Sequence, residues 1–498
     1  MRQLFLLIST VYLITACTTT PESQGVFQHG VASGDPLSDA VIIWTRVTVE
    51  NQPEVEVAWE VSTDEAFTTT IKNGTALAIA DRDFTVKVDI TDLEADTYYY
   101  YRFKVGDEVS TIGRTKTAST IASKVRLAVV SCSNYEAGYF NSFATLALQP
   151  EIDAVLHLGD YIYEYEPDKY GDTTLDRKHL PAKEIVTLSE YNTRYGQYRK
   201  DADLQKVHQM HPFIVVWDDH EISNNANIIN AENHQAHEGD YKSRTAAAKK
   251  AYYNWMPIRE SKTLYRKFDF GNKVDLIMLD ERLEGRSEQI YTEEEGDYTD
   301  PNRTMLGEAQ FNWLTNHLSD TTSQWKVIGN QVMFANFDLK SVRPKEPLNM
   351  DAWDGYPAER SKLVNYIADN KIDNIIFVTG DTHCSWAFDI PKVTDTYDAE
   401  TANNSIAVEL GTPGLTSSNY DAYYPLDTVK VIEGKYQNDN PHLQYVNLHK
   451  QGYFILTLDD DVAQADYYYM DKINEPSKGE SLGKTVIVKN LSNKLIIQ

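Results

Sequence analysis

The chain has 498 residues, 42% of them hydrophobic and 24% charged, the balance of a globular rather than a disordered protein. Lys and Arg number 47 against 74 Asp and Glu, a formal net charge of −27. So acidic a surface excludes non-specific nucleic-acid binding and suits hard cations held by clustered carboxylates.

The first segment, MRQLFLLISTVYLITAC, has one early Arg2 and an apolar stretch too short to span a bilayer. Ile14-Thr15-Ala16-Cys17 resembles a bacterial lipobox. Residues 1–17 are therefore expected to direct export, with lipid attached at Cys17 and residues 18–25 as a polar tether. The expected location is the cell envelope, with the lipid anchor as the one membrane contact. An ordinary signal peptide with an incidental cysteine is the simpler alternative. Only Cys132 and Cys384 follow Cys17. One pair is no disulfide framework, so either they bond to each other or at least one does chemistry.

Residues 26–120 read as a β-module. AVIIWTRV, VEVAWEVS, FTVKVDI and TYYYYRFKV are short, rich in Val, Ile, Tyr and Trp, and separated by turn clusters such as SGDP and VGDE. The pattern predicts a sandwich of the fibronectin-III kind. From residue 121 apolar runs alternate with helical stretches such as GYFNSFATLAL and SRTAAAKKAYYNWM, which predicts an α/β layered fold. Most of the apolar runs end in a polar, reactive group. VRLAVV is followed by Ser131-Cys132, IDAVLHL by Gly159-Asp160, and PFIVVW by Asp218-Asp219-His220-Glu221. NIIFVTG is followed by Asp381-Thr382-His383. Ligand sites of α/β folds lie beyond the carboxyl ends of the strands, so these tips are expected to form one site.

Asp160 can bridge two cations, because a carboxylate offers two oxygens. Tyr163, three residues on in VLHLGDYIYEY, can return its phenol to the same place. Phenolate, thiolate and imidazole donors from Tyr163, Cys132 and His383 suit a strong Lewis acid such as Fe³⁺. Asp219 and Asp381, with Asp160, offer only oxygen and suit Ca²⁺, or Mg²⁺ or Mn²⁺. His220 is free to contact a substrate oxygen or to protonate a leaving group. Arg244, opening the alanine-rich stretch, is the candidate for a bidentate phosphate contact. Tyr161 and Tyr165 are expected to pack, and HQAHEGD to be an exposed loop. Paired cations clamp two oxygens of an in-line displacement and acidify water, the requirement of phosphate-ester hydrolysis.

Nine blocks carry a family resemblance: HGVASGDPLSDAVIIWTRV, SCSNYEAGYFN, HLGDYIYEY, VWDDHEISNN, RTAAAKKAYYNWMP, PNRTMLGEAQFNWL, WDGYPAER, VTGDTHCSW and NPHLQYVNLHKQGY. In this order, over about residues 27–470, they resemble the PhoD-type alkaline phosphatases. The resemblance implies a small β-sandwich followed, over 121–498, by a metallophosphatase domain of two packed mixed sheets flanked by helices. It implies hydrolysis of phosphate monoesters and diesters with Fe³⁺ and Ca²⁺, Asp160 bridging the metals and Tyr163 on the iron. Cys132, Asp219, Asp381 and His383 fall on the remaining metal motifs, and His220 and Arg244 on phosphate-contacting positions. Three features depart from the family pattern. There is no twin-arginine pair near the start. Cys384 stands where a small residue is expected and could pair with Cys132. LDERLEGR alters the usual LD-x-R continuation while keeping Arg282. A monomer is expected. The runner-up is a phosphodiesterase of lipid or polymer diesters, resembling a phospholipase D in activity. From another class, a calcium-binding surface protein with a relic site is the alternative.

Overall fold

A computed structural model describes residues 25–292 and 294–498. The leader, Cys17 and residues 18–24 of the tether lie outside the described residues.

Two large mixed sheets form the body. In the first, of ten strands, Val125–Val130, Ala154–His157, Pro212–Val215 and Val31–Gly34 run parallel side by side. Antiparallel strands extend it on both sides: Gly452–Leu458 onward on one, Val41–Arg46 and Thr85–Ile90 on the other. In the second, of seven strands, Val274–Met278, Trp325–Asn330, Ile375–Thr379 and Ser405–Gly411 are parallel neighbours. The period-two alternation of strand side chains decides what each face covers. Leu276, Val327, Ile376, Val378, Val408 and Leu410 turn inward and share one core with Leu127, Val129, Leu156 and Ile214 of the first sheet. Their neighbours Ile277, Ile328, Ile375 and Phe377 turn outward into a second core. Leu314 and Leu318 of helix Gly307–Asp320 and Leu363 and Ile367 of helix Pro357–Asp369 cover them there.

A third, antiparallel sheet contains Glu54–Ser62, Thr70–Ile79 and Tyr98–Val105. Its Val57, Val61, Tyr99, Tyr101 and Phe103 pack on Val31, Val41, Ile43, Val86 and Ile90. The strands facing this sheet therefore belong to the large ten-stranded sheet, which crosses residue 120. Val31–Gly34 is buried along its whole length because it has sheet neighbours on both sides and a core on each face.

The parallel strands bring their carboxyl ends to one rim. A short parallel bridge between Ser131 and Gly414 ties the loops of the two sheets together there.

Gly34 sits where the first strand meets Phe213 and Pro257. A Cβ at this position would lie 2.4 Å from the Pro257 carbonyl oxygen and 2.5 Å from that of Phe213. Gly34→Ala is expected to destabilise the protein by about 1–3 kcal/mol, read as a lower midpoint of one thermal transition. Two separate transitions would show that residues 25–120 unfold independently of the large sheet.

Candidate metal centre

Four loops carry the site, and three of them turn into left-handed backbone within a few residues of their strand's end. Cys132, Asp160, Asp381 and His383 have φ of 59°, 56°, 60° and 61°. Such left-handed backbone is unfavourable for residues with a Cβ and is held by its surroundings at functional sites. Gly159, before Asp160, has φ 103°, and a Cβ there would lie 2.3 Å from the Asp218 Cβ. Only glycine lets the second and third loops approach this closely. Glu221 staples the same two loops: its carboxylate accepts from the backbone N–H of Asp160 at 3.0 Å, Tyr161 at 2.5 Å and Asp218 at 2.8 Å.

Three groups of ligand-type atoms result, each within 4.8 Å of one another: Cys132, Asp160 and His383; Asp160, Asp219 and His220; and Asp218, Asp219 and Asp381. Asp160 belongs to the first two and Asp219 to the last two. The Tyr163 hydroxyl joins the first group, 3.1 Å from Asp160 Oδ2, 3.3 Å from His383 Nε2 and 2.6 Å from Ser417 Oγ. The expected ligands Cys132, Asp160, Tyr163, Asp219, Asp381 and His383 thus come together. His383 Nδ1 lies 3.0 Å from the Ser418 carbonyl oxygen, which can only accept. The ring proton therefore sits on Nδ1, and Nε2 keeps its lone pair for the cluster. Burial pulls this imidazole down to about 4, which keeps it neutral.

The cluster is short of positive charge. Burial pushes the Asp160 and Asp381 carboxyls and the Cys132 thiol well above their usual ranges, and neighbouring carboxylates push them further. Asp218 is pushed up to about 6 by burial, against the pull of Arg282. Arg282, 0% exposed, is the arginine among these acids. It donates to Asp218 Oδ1 from Nε at 2.5 Å, to Asp351 Oδ1 from one terminal nitrogen at 2.8 Å and to Asp381 Oδ1 from the other at 3.5 Å. His220 is held well above its usual range: burial opposes its charge, but Asp219, Asp160 and Glu164 overcome it. Two protein cations against this many acids leave room for bound metal. The buried Asp218 Oδ2 has no hydrogen-bond partner, as expected of an oxygen aimed at a cation. The donor chemistry fits too. Sulfur, imidazole and phenol meet in the first group, and carboxylates alone in the third.

His220 Nδ1 is 2.7 Å from Glu164 Oε2, so its Nε2 is the nitrogen left for the site. Glu164 is fixed in turn by donation from the Asn224 backbone N–H and Asn233 Nδ2, both at 2.8 Å. Arg244 corrects the sequence expectation. It is buried, and its donors go to the Tyr191 hydroxyl at 3.1 Å, the Asn233 carbonyl at 2.9 Å, Glu184 at 2.8 Å and the Ile185 carbonyl at 3.0 Å. Its link to the site runs through Asn233, which it binds at the carbonyl and whose side-chain amide binds Glu164. Cys132 and Cys384 are both free. Cys384 turns into the outer core of the second sheet, away from the thiol it was thought able to reach. Asp218 and Glu221 were expected at the strand tips but given no role, and Glu164 was not foreseen. The doubled acid of VWDDHE was the available signal for Asp218. Tyr161 packs as expected, its hydroxyl 2.9 Å from His208 Nε2.

Chelation is expected to lower the thermal midpoint, and added cation to restore it. At about 100 times its Kd a cation contributes about 2.7 kcal/mol. In Asp160→Asn, which loses the carboxylate shared by two groups, most of that restored increment should vanish. An equal increment in the variant would contradict the shared role.

The chain is similar to known proteins along most of its length. The PhoD-like phosphatase family matches residues 127–467, and the family's N-terminal domain matches residues 14–119. The chain is 37% identical over 472 residues to "Alkaline phosphatase D" of Bacillus subtilis (strain 168), covering 90% of this chain and 78% of that protein. A solved structure titled "Structure of PhoD" superposes with a TM-score of 0.86 at 34% identity, covering 96% of this chain and 93% of that one. The chain belongs to the PhoD-like phosphatase family.

Proposed function

We propose that this protein hydrolyses phosphate esters, monoesters and diesters alike, at the cluster around Asp160. One observation carries the proposal. A single carboxylate is shared between a sulfur–imidazole–phenol group and a group containing Asp219, with His220 held beside it by Glu164. The kinship to a Bacillus alkaline phosphatase supports the same reaction. Cys132, Asp160, Tyr163 and His383 would hold Fe³⁺, and Asp160, Asp218, Asp219 and Asp381 would hold Ca²⁺. When bound, these cations supply the positive field for the phosphoryl oxygens and the acidity that makes water a nucleophile.

The chain's own residues do the rest. Glu164 fixes the His220 ring, and Nε2 donates its proton toward the ester oxygen that leaves. Arg282 orients Asp218 and Asp381 and offsets part of their repulsion. Burial of the rim lowers the local dielectric, which strengthens each of these interactions. The wider reading keeps export, a lipid on Cys17 at the cell envelope, a monomeric state and a fibronectin-III-like module over 26–120. The antiparallel pairing of the strands between Glu54 and Lys116 supports the last.

His220→Gln is expected to lower kcat on 4-nitrophenyl phosphate by about 10²–10⁴-fold without loss of bound metal. Running bis(4-nitrophenyl) phosphate beside it ranks diesters against monoesters. A folded, calcium-loaded protein inert on both would contradict the proposal. For the iron assignment, Tyr163→Phe should abolish a visible charge-transfer band. A colourless, iron-free and fully active protein would overturn that assignment alone.

A further inference from the structure

Three tyrosines surround His220, and the proton-transfer role accounts for none of their side chains outside Tyr163. The Tyr163 ring lies 4.2 Å from the His220 ring, Tyr165 5.4 Å and Tyr170 6.4 Å. Tyr165 and Tyr170 also meet each other at 5.5 Å. Tyr163 is 0% exposed and bonded into the cluster, whereas Tyr165 and Tyr170 are half-buried. The Tyr165 hydroxyl makes no hydrogen bond to the described residues, and that of Tyr170 makes one long contact, 3.4 Å from His383 Nδ1. That nitrogen already serves the Ser418 carbonyl. Both backbones are pinned. The Tyr165 carbonyl accepts from Arg194 at 3.0 Å and the Tyr170 carbonyl from Asn134 Nδ2 at 2.7 Å. Tyr165 was expected to pack. It does so against Tyr170 and the His220 ring, and, only half-buried, it forms one half of an uncharged aromatic wall.

We infer that Tyr165 and Tyr170 receive the organic group of the substrate, and that they favour an aromatic ring on the ester oxygen over a short alkyl group. The inference rests on the proposed phosphate-ester hydrolysis. If His220 meets the ester oxygen, whatever that oxygen carries must leave the cluster within a bond or two of the His220 ring. The clustered carboxylates and Arg282 are charged or strongly polar and offer such a group no apolar contact. The two half-buried rings are the apolar faces within reach, and an aromatic group can meet them edge-to-face or offset. Holding His220 does not require them, since Glu164 fixes its Nδ1 and the Tyr163 ring lies against its face.

The test uses two inert ligands on the metal-loaded full chain, phenylphosphonate and methylphosphonate, with dissociation constants from calorimetry. The wild type should bind the phenyl compound more tightly by about 2- to 10-fold. The phenyl-to-methyl ratio should fall toward 1 in Tyr165→Ala and in Tyr170→Ala, and stay near the wild-type value in Tyr165→Phe and Tyr170→Phe. A wild-type ratio of 1, or a ratio unchanged in both alanine variants, would overturn the inference. Should an alanine variant fail to fold, the wild-type ratio and the other variant still decide it. Hydrolysis of 4-nitrophenyl phosphate by the wild type is measured separately. Its absence would defeat the functional reading, whereas a flat phosphonate ratio in an active enzyme would defeat only the wall.

Discussion

Buried negative charge without enough protein counter-charge is the constraint on which the rest of the site depends. Asp160, Asp218, Asp219, Asp381 and the Cys132 thiol meet at the rim of two sheets, with Arg282 and His220 as the protein cations among them. A hydrophobic protein interior does not tolerate such a cluster unless positive ions enter or protons stay on. The backbone is shaped to keep the acids together all the same. Four of the clustered residues hold left-handed φ, Gly159 admits Asp218 at a distance no other residue would allow, and Glu221 ties two loops with three N–H bonds. The fold spends strain to concentrate charge, which is reasonable only if charge of the opposite sign is bound.

The two-sheet architecture makes this arrangement possible. Parallel strands from both sheets end on the same side, so loops distant in sequence arrive at one place without long excursions. The outer helices cover the second sheet and leave that rim to the loops. The acidic surface is a separate matter. With a net charge of −27 the protein repels anions at a distance, so attraction of a phosphate ester rests on ions held locally at the rim.

Much of the site was legible because its chemistry sits directly after apolar runs. In VLHLGDYIYEY the run predicts a buried strand, and the structure puts a strand at Ala154–His157 with Asp160 and Tyr163 in the loop behind it. Cys132, Asp219, Asp381 and His383 were found by the same logic. Residues that act through long-range contacts were not. Glu164 is bonded to a histidine 56 positions away, and nothing local marks it out. Arg244 was misplaced because a charge at the start of a helix says nothing about which side of the site the helix lies on. The layer boundary was also hidden. Val31–Gly34 falls within the span read as a small module, yet its pairing with Pro212–Val215 makes it an interior strand of the large sheet. Four apolar and small residues carry no mark of their sheet partner.

The account stands on the cluster's being a cation site, and metal stoichiometry tests that most directly. Native mass spectrometry with elemental analysis of the purified chain, after incubation with iron and calcium salts and removal of excess, should find at least two cations per molecule. A folded protein that retains none under these conditions would contradict the account, because its buried carboxylates would then have to be stable on their own.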